Sequence, residues 1–470
     1  MGKKFDRRSF LKTAVLSGAG LAGLGLTGLT SGDTSKIYRK SRIQRFNMNG
    51  YGASKLDTVR VGLIGVGNRG FGGLGRLSRI EGVEITAVCD VEPERARRGI
   101  ERLDDTKHDP REFSGSEDAW RKLCESDDVD LVYICTPWHL HAPQCIYAME
   151  NGKHAATELP AAVSMDECWQ LVETSERTRK HCMMLGNVCY DFFEMMVINM
   201  ARQGYFGDII HTEGAYIHEL IAHNFSKTVY HDMWRLEENI GQNGNLYPPH
   251  AIGPLAKLLN INAGDRMEYL VSMSSHDFNM NKRAKELAEE DPFYDEYVDR
   301  DYRGNMNTVT IKTRKGKTIM LQHDVSSPRP YSRIFLVSGS DGTARKWPAP
   351  ARISTSHHGW LSQDEMKEIE EQYTPEITKR VGEMARQVGG HGGMDTIMDW
   401  RLIDCLRNGI PLDMDVYDAA LWSAIGPLSI WSAANRSNSV DVPDFTAGNW
   451  KTNEPGLDLN LERGGNTAII

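Results

Sequence analysis

The chain has 470 residues and a formal net charge of −9, with a sequence pI near 6.0; at this length two cores are expected rather than one. The acidic balance excludes a nucleic-acid surface and points to a small neutral ligand. Eight cysteines (Cys89, Cys124, Cys135, Cys145, Cys168, Cys182, Cys189 and Cys405) show neither metal nor disulfide spacing and sit mostly in apolar runs, so they read as buried thiols.

At the N-terminus, Arg7-Arg8 is followed by Ser9, Phe10, Leu11 and Lys12, then by a Gly-rich run without charge until Asp33. So many glycines make a poor helix and a poor membrane span. The pattern is a twin-arginine address, which exports already folded proteins to the periplasm. Residues 1–55 are therefore set apart as signal and linker, and nothing after them is long and apolar enough to remain as a membrane span.

Next comes "TVRVGLIG", a β-branched run ending at Gly65, with Gly67 and Gly70 completing G-x-G-x-x-G before a helix. The first glycine allows a tight turn, the second a close approach to pyrophosphate, and the third close helix packing. A second strand, "VEITAVCD", ends at Asp90 twenty residues beyond Gly70, where a carboxylate would accept hydrogen bonds from ribose hydroxyls and repel a 2′-phosphate. This context predicts NAD. Strands "DLVYICTP", "HAATEL" and "HCMMLGN" then alternate with helices around 142–151 and 164–180, the rhythm of a Rossmann doubly wound parallel sheet over 56–187. Its ligand loops would be Thr136–His141, Glu158–Pro160 and Gly186–Tyr190.

Beyond Tyr190 longer strands with hairpin signals at Lys315-Gly316 and Asp341-Gly342 predict an α/β domain over 188–470 with an open, largely antiparallel sheet. The stretch "NGNLYPPHAIGPLAKLLN" places Pro248 and Pro249 in the first turn of a helix, with Tyr247 and His250 around its N-terminus. That end disfavours an imidazolium and suits a neutral histidine base. On these residues alone His250 reads equally as a capping or core histidine. Arg235 reads as a surface partner of Glu237 or Glu238, and Tyr216 and Tyr331 as packed strand aromatics. A metal site from His139, His141, His218 and His223 lacks a carboxylate frame, and none is expected.

The whole resembles the Gfo/Idh/MocA oxidoreductase superfamily, whose members carry Glu-Lys-Pro where this chain has Glu158-Leu159-Pro160. Stretches such as "ENGKHAATELPAAVSMDECWQLVE", "DMWRLEENIGQNGNLYPPHAIGP", "QHDVSSPRPYSR" and "GHGGMD" are similar to one branch, glycoside hydrolase family 109, the NAD-dependent α-N-acetylgalactosaminidases. The resemblance implies NAD contacts from Asn68, Arg69, Asp90, Trp138, His139, Leu140, His141, Glu158, Leu159 and Asn187. It implies sugar contacts from Tyr216, Arg235, Tyr247, Pro248, Pro249, His250 and Tyr331, with Tyr247 and His250 catalytic. The implied substrate is a glycan or glycoside ending in α-linked N-acetylgalactosamine.

A dehydrogenase exported with its cofactor would be reduced once and then stranded. A redox-neutral cycle avoids this: the sugar C3 is oxidised, the ketone acidifies the C2 proton, the C1 substituent is eliminated, water adds and the hydride returns. Such enzymes lie outside the paired-carboxylate rule. The alternative is a periplasmic NAD(P)-dependent sugar dehydrogenase, which would share every cofactor residue. Superfamily likeness also implies a homodimer formed through the second sheet.

Overall fold

The computed structural model describes residues 42–470, so the twin-arginine stretch lies outside the described residues. Elements follow in the order β1 (Val59–Ile64), α1 (Asn68–Leu77), β2 (Val83–Asp90), α2 (Pro93–Glu101), β3 (Arg111–Ser114), α3 (Ala119–Glu125), β4 (Leu131–Ile134), α4 (Trp138–Glu150), β5 (His154–Thr157), α5 (Met165–Thr178) and β6 (Cys182–Met184). These strands form one parallel sheet ordered β3-β2-β1-β4-β5-β6. Its central strands are buried on both faces, as parallel strands between helix layers must be. The order reverses between β1 and β4, which opens a crevice at the strands' carboxyl ends.

The second half continues with α6 (Phe192–Arg202), β7 (Ile209–Ile217), α7 (Ile221–Asn224), α8 (Trp234–Glu238), α9 (Pro249–Leu258), β8 (Met267–Ser274), α10 (Met280–Glu290), β9 (Met306–Thr313) and β10 (Thr318–Asp324). After these come β11 (Phe335–Gly339), β12 (Thr343–Lys346), β13 (Arg352–Ser354), α11 (Gln363–Tyr373), α12 (Glu376–Val388), α13 (Met394–Asn408), α14 (Val416–Ala434) and β14 (Val440–Asp441). The strands form a mixed sheet ordered β13-β12-β11-β7-β10-β9-β8-β14. Only β7 and β10 pair in parallel; the other pairings are antiparallel.

Two packing events place the site. Gly214 on β7 lies so close under α9 that a Cβ there would meet the Ala251 carbonyl oxygen at 2.3 Å. Only glycine permits that approach, and Tyr216, two residues on and therefore on the same face, is brought beside His250. On the other side α13 docks on the first domain: Arg76 Nε donates to Asp399 at 2.7 Å and the Tyr133 hydroxyl donates to the same carboxylate at 2.8 Å. These groups are buried, so removing one partner would strand a charge in the core.

Residues 42–55, set apart as linker in the sequence reading, pack along the body. Arg42 pairs with Glu176 of α5, and the Tyr417 hydroxyl of α14 donates to Glu176 at 2.8 Å while accepting from the Met48 N–H at 3.1 Å.

At the amino ends of β5 and β6 His154 and His181 stack with ring centroids 5.2 Å apart, and His154 Nδ1 accepts the His181 N–H at 3.0 Å. Burial, then the neighbouring His181, holds His154 well below the ordinary imidazole range; burial and Lys180 push His181 down to about 4. Their neutrality therefore stabilises the fold fully above pH 6.5, and that contribution is lost as pH falls from 6.5 toward 4. For His181 alone the loss is about 3 kcal/mol. Urea unfolding at pH 7 and pH 4.5 should show a smaller acid loss in His181→Gln than in the parent chain; equal losses would assign the acid lability elsewhere.

Candidate active site

The glycine turn behaves as its spacing demands. Gly65 has φ +90°, and a Cβ there would meet the Cys135 carbonyl oxygen at 2.7 Å; a Cβ on Gly70 would sit 1.8 Å from the Gly65 carbonyl oxygen. At Gly67 nothing lies within 4 Å, which leaves room for a phosphate. Helix α1 starts there without a side-chain cap, so its first N–H groups stay available to an anion. Asp90 accepts from the Val66 N–H at 2.7 Å and the Glu92 N–H at 3.0 Å; each oxygen keeps a lone pair for a ribose hydroxyl.

Asn68 and Arg69 open α1, and Arg69 forks outward: Nε donates to Glu158 at 2.8 Å and Nη1 to Asp395 of α13 at 2.9 Å. Asn187 Nδ2 donates to the other Asp395 oxygen at 2.5 Å, leaving Asn187 Oδ1 buried and unpartnered. Trp138, His139, Leu140 and His141 form the first turn of α4. His141 is a buried strut, its Nδ1 2.7 Å from the Pro160 carbonyl and its Nε2 2.7 Å from that of Thr136; His139 faces Glu238 at 3.3 Å. Leu159, where relatives of the superfamily carry lysine, is buried. The uncapped helix end, the free lone pairs of Asp90 and the orphaned Asn187 oxygen fit the pyrophosphate, ribose and carboxamide of NAD.

The sugar-side residues of the sequence reading converge on an aromatic chamber. Tyr247 stacks on Trp138 at 5.5 Å, meets Tyr216 at 4.8 Å and His250 at 4.9 Å; Tyr216 meets His250 at 5.1 Å. The Tyr216 hydroxyl and His218 Nδ1 are 3.1 Å apart, and Tyr331 closes the wall edge-on to His218 at 5.0 Å. Pro248 caps α9 and Pro249 begins it. Arg235 lies over Trp138 at 5.2 Å and Tyr247 at 5.3 Å. Its Nη2 and His250 Nδ1 are buried without a partner. Native interiors rarely leave such atoms unmatched, and together they ask for a polar ligand.

Burial, then the positive charges of Arg333 and Arg69, holds His250 well below the ordinary imidazole range. Burial raises Tyr247, with Tyr216 and Glu158 adding to it. The first is thus a neutral acceptor and the second a protonated donor. The surface pairing considered for Arg235 does not occur: burial and the phenols surround it instead.

Sequence reading missed Trp234, which meets Trp138 edge-on at 5.4 Å, and the role of "GHGGMD" beyond likeness. Residues 389–393 all have positive φ, a path that four glycines permit. They hold His391 half-exposed with Nδ1 2.9 Å from Asp395. A histidine flanked by glycine pairs, four residues before an aspartate, was the available signal. Among the described residues no cluster of three or more His, Cys, Asp or Glu is arranged to hold a metal ion.

Residues 190–452 match the family model "Glycosyl hydrolase 109, C-terminal domain", and residues 59–185 match "Oxidoreductase family, NAD-binding Rossmann fold". The chain belongs to glycosyl hydrolase family 109. A family 109 protein of Porphyromonas gingivalis is 48% identical over 413 residues, covering 84% of this chain and 86% of that protein; one of Shewanella pealeana is 45% identical over 461 residues, covering 96% and 98%. Among solved structures, levoglucosan dehydrogenase in complex with NADH superposes with a TM-score of 0.61 at 17% identity, covering 82% of this chain and 100% of that one. An NAD-binding oxidoreductase of Klebsiella pneumoniae gives 0.63 at 16%, covering 83% and 100%. These likenesses show the shared fold. The family 109 chain is thus a glycosidase built on an NAD-binding oxidoreductase scaffold.

Proposed function

We propose that this glycosidase hydrolyses terminal α-linked N-acetylgalactosamine by a redox-neutral cycle. The carrying observation is the pairing of a neutral, half-buried imidazole, His250, whose Nδ1 is enclosed, with a protonated buried phenol, Tyr247, in one chamber beside the dinucleotide cleft. Bound NAD supplies a reversible hydride acceptor for the sugar C3, which makes the C2 proton acidic. His250 Nδ1, unpartnered and uncharged, accepts that C2 proton, loses it to solvent while the C1 substituent leaves and water adds, and later delivers a solvent-derived proton to C2. Tyr247 lies between Trp138 and His250 and keeps its hydroxyl proton, so it hydrogen-bonds O3 as a carbonyl develops there. Arg235 Nη2 offers its free N–H to an acetamido or hydroxyl oxygen. His391, oriented by Asp395 through Nδ1, has Nε2 left to move a proton at the glycosidic oxygen. The acetamido and galacto parts of the reading rest on the sequence resemblance.

The purified protein, given p-nitrophenyl α-N-acetylgalactosaminide and no added NAD, should release nitrophenol over many turnovers. NADH accumulating without nitrophenol release would replace this reading with the sugar dehydrogenase.

Export follows from Arg7-Arg8 as a proposal: fractionation should place the protein in the periplasm, and Arg7-Arg8→Lys-Lys should trap it in the cytoplasm. A homodimer is supported by the sheet face that exposes Tyr269 and Met273 on β8; sedimentation of a monomer at micromolar concentration would remove that part.

A further inference from the structure

Between Tyr230 and Arg235 the substrate-side domain reaches back to the dinucleotide cleft. His231 Nδ1 lies 2.5 Å from Glu92 Oε1. Glu92 stands just past the carboxyl end of β2 and donates its own N–H to Asp90, the carboxylate suited to the ribose. Three residues after His231, Trp234 meets Trp138 at the carboxyl end of β4, and Arg235 covers the same ring. Strand β1 lies between β2 and β4, and its end is the glycine turn. The two anchors therefore fall on either side of that turn, and the segment bridges the cleft's mouth where pyrophosphate would lie.

The bridge is held under constraint. Asp232 (φ 48°, ψ 30°) and Met233 (φ 46°, ψ 34°) are consecutive non-glycine residues in the left-handed region, a backbone that persists only where its surroundings fix it. Met233 is buried as the pivot, and the Trp234 contact and the His231–Glu92 pair fix the two sides. The pair itself is part-exposed and joins two domains, which makes it the weaker anchor.

We propose that residues 230–235 are a strap that retains the dinucleotide, with His231–Glu92 as its latch. A cofactor that ends each turnover as it began needs no exchange, and a strap over its midpoint slows loss. The inference rests on NAD binding and stands apart from the choice of substrate.

The test is dinucleotide release: protein loaded with NADH is diluted into a large excess of NAD⁺ and the decay of bound NADH fluorescence is followed. His231→Ala and Glu92→Gln should each release NADH about tenfold faster, the effect of one charge-assisted hydrogen bond. The double variant should release no faster than either single one, and the urea midpoint of the stripped protein should stay at the parent's value. Release within twofold of the parent in Glu92→Gln, or faster release in the double variant than in both singles, would overturn the strap. A stripped-protein midpoint that falls while release is unchanged would make the pair merely structural.

Discussion

Replacing His250 with alanine should lower kcat on an α-N-acetylgalactosaminide by about a thousandfold, the range of a lost general base, while NAD bound per chain stays at the parent's level. The expectation follows from position: His250 touches Tyr216 and Tyr247 rings but none of the glycine-turn groups. Its pH signature is also specified. Because burial and the charges of Arg333 and Arg69 hold its pKa well below 6.5, the base stays unprotonated through pH 6.5. The acid limb of kcat/KM in the free enzyme should accordingly fall well below that value, and His250→Ala should lose that limb. An acid limb centred at 6.5 or above would mean that a different, solvent-exposed histidine carries the step. Tyr247→Phe tests the complementary claim. A raised phenol pKa means the hydroxyl serves as donor, so the variant should lose rate evenly across neutral pH.

Stripping the dinucleotide should abolish hydrolysis, and one equivalent of NAD⁺ per chain should restore it. Glu158 and Asp395, two acids beside the chamber, are both tied to Arg69 and so do not stand as a free acid pair of the kind ordinary glycosidases use. Without the dinucleotide the C2 proton stays non-acidic and His250 has nothing to remove. Refilling with NADH in place of NAD⁺ should leave the protein inactive, since the sugar would meet no hydride acceptor. Activity in a verified empty protein would detach the glycosidase chemistry from the Rossmann domain.

The parts of this structure that sequence exposed are those set by local physics. The turn Gly65-x-Gly67-x-x-Gly70 needs a positive φ, an open approach and a close contact at three fixed places, and each glycine meets one of these needs. Alternating strands and helices followed from periodicity, and Pro248-Pro249 marked the start of α9. What remained hidden was long-range. Asp395 lies more than two hundred residues from Asn187, yet it holds that residue and Arg69 together, and nothing local to "GHGGMD" specifies those partners. Likewise Arg235 reads from sequence as an exposed helix charge beside two glutamates; the aromatic rings over it come from α4, the loop before α9 and the loop before α8. Gly186 illustrates the same limit. A Cβ there would press on Met414 and Trp422, neighbours that only tertiary packing supplies.

The most direct measurement of the account is the isotope content of the sugar product. Hydrolysis in D₂O by the protein as purified, with no nucleotide added, should give N-acetylgalactosamine carrying deuterium at C2, with the bound dinucleotide still oxidised after many turnovers. Product with only hydrogen at C2 would mean the bond broke without proton removal there, and the hydride-lending cycle would be contradicted.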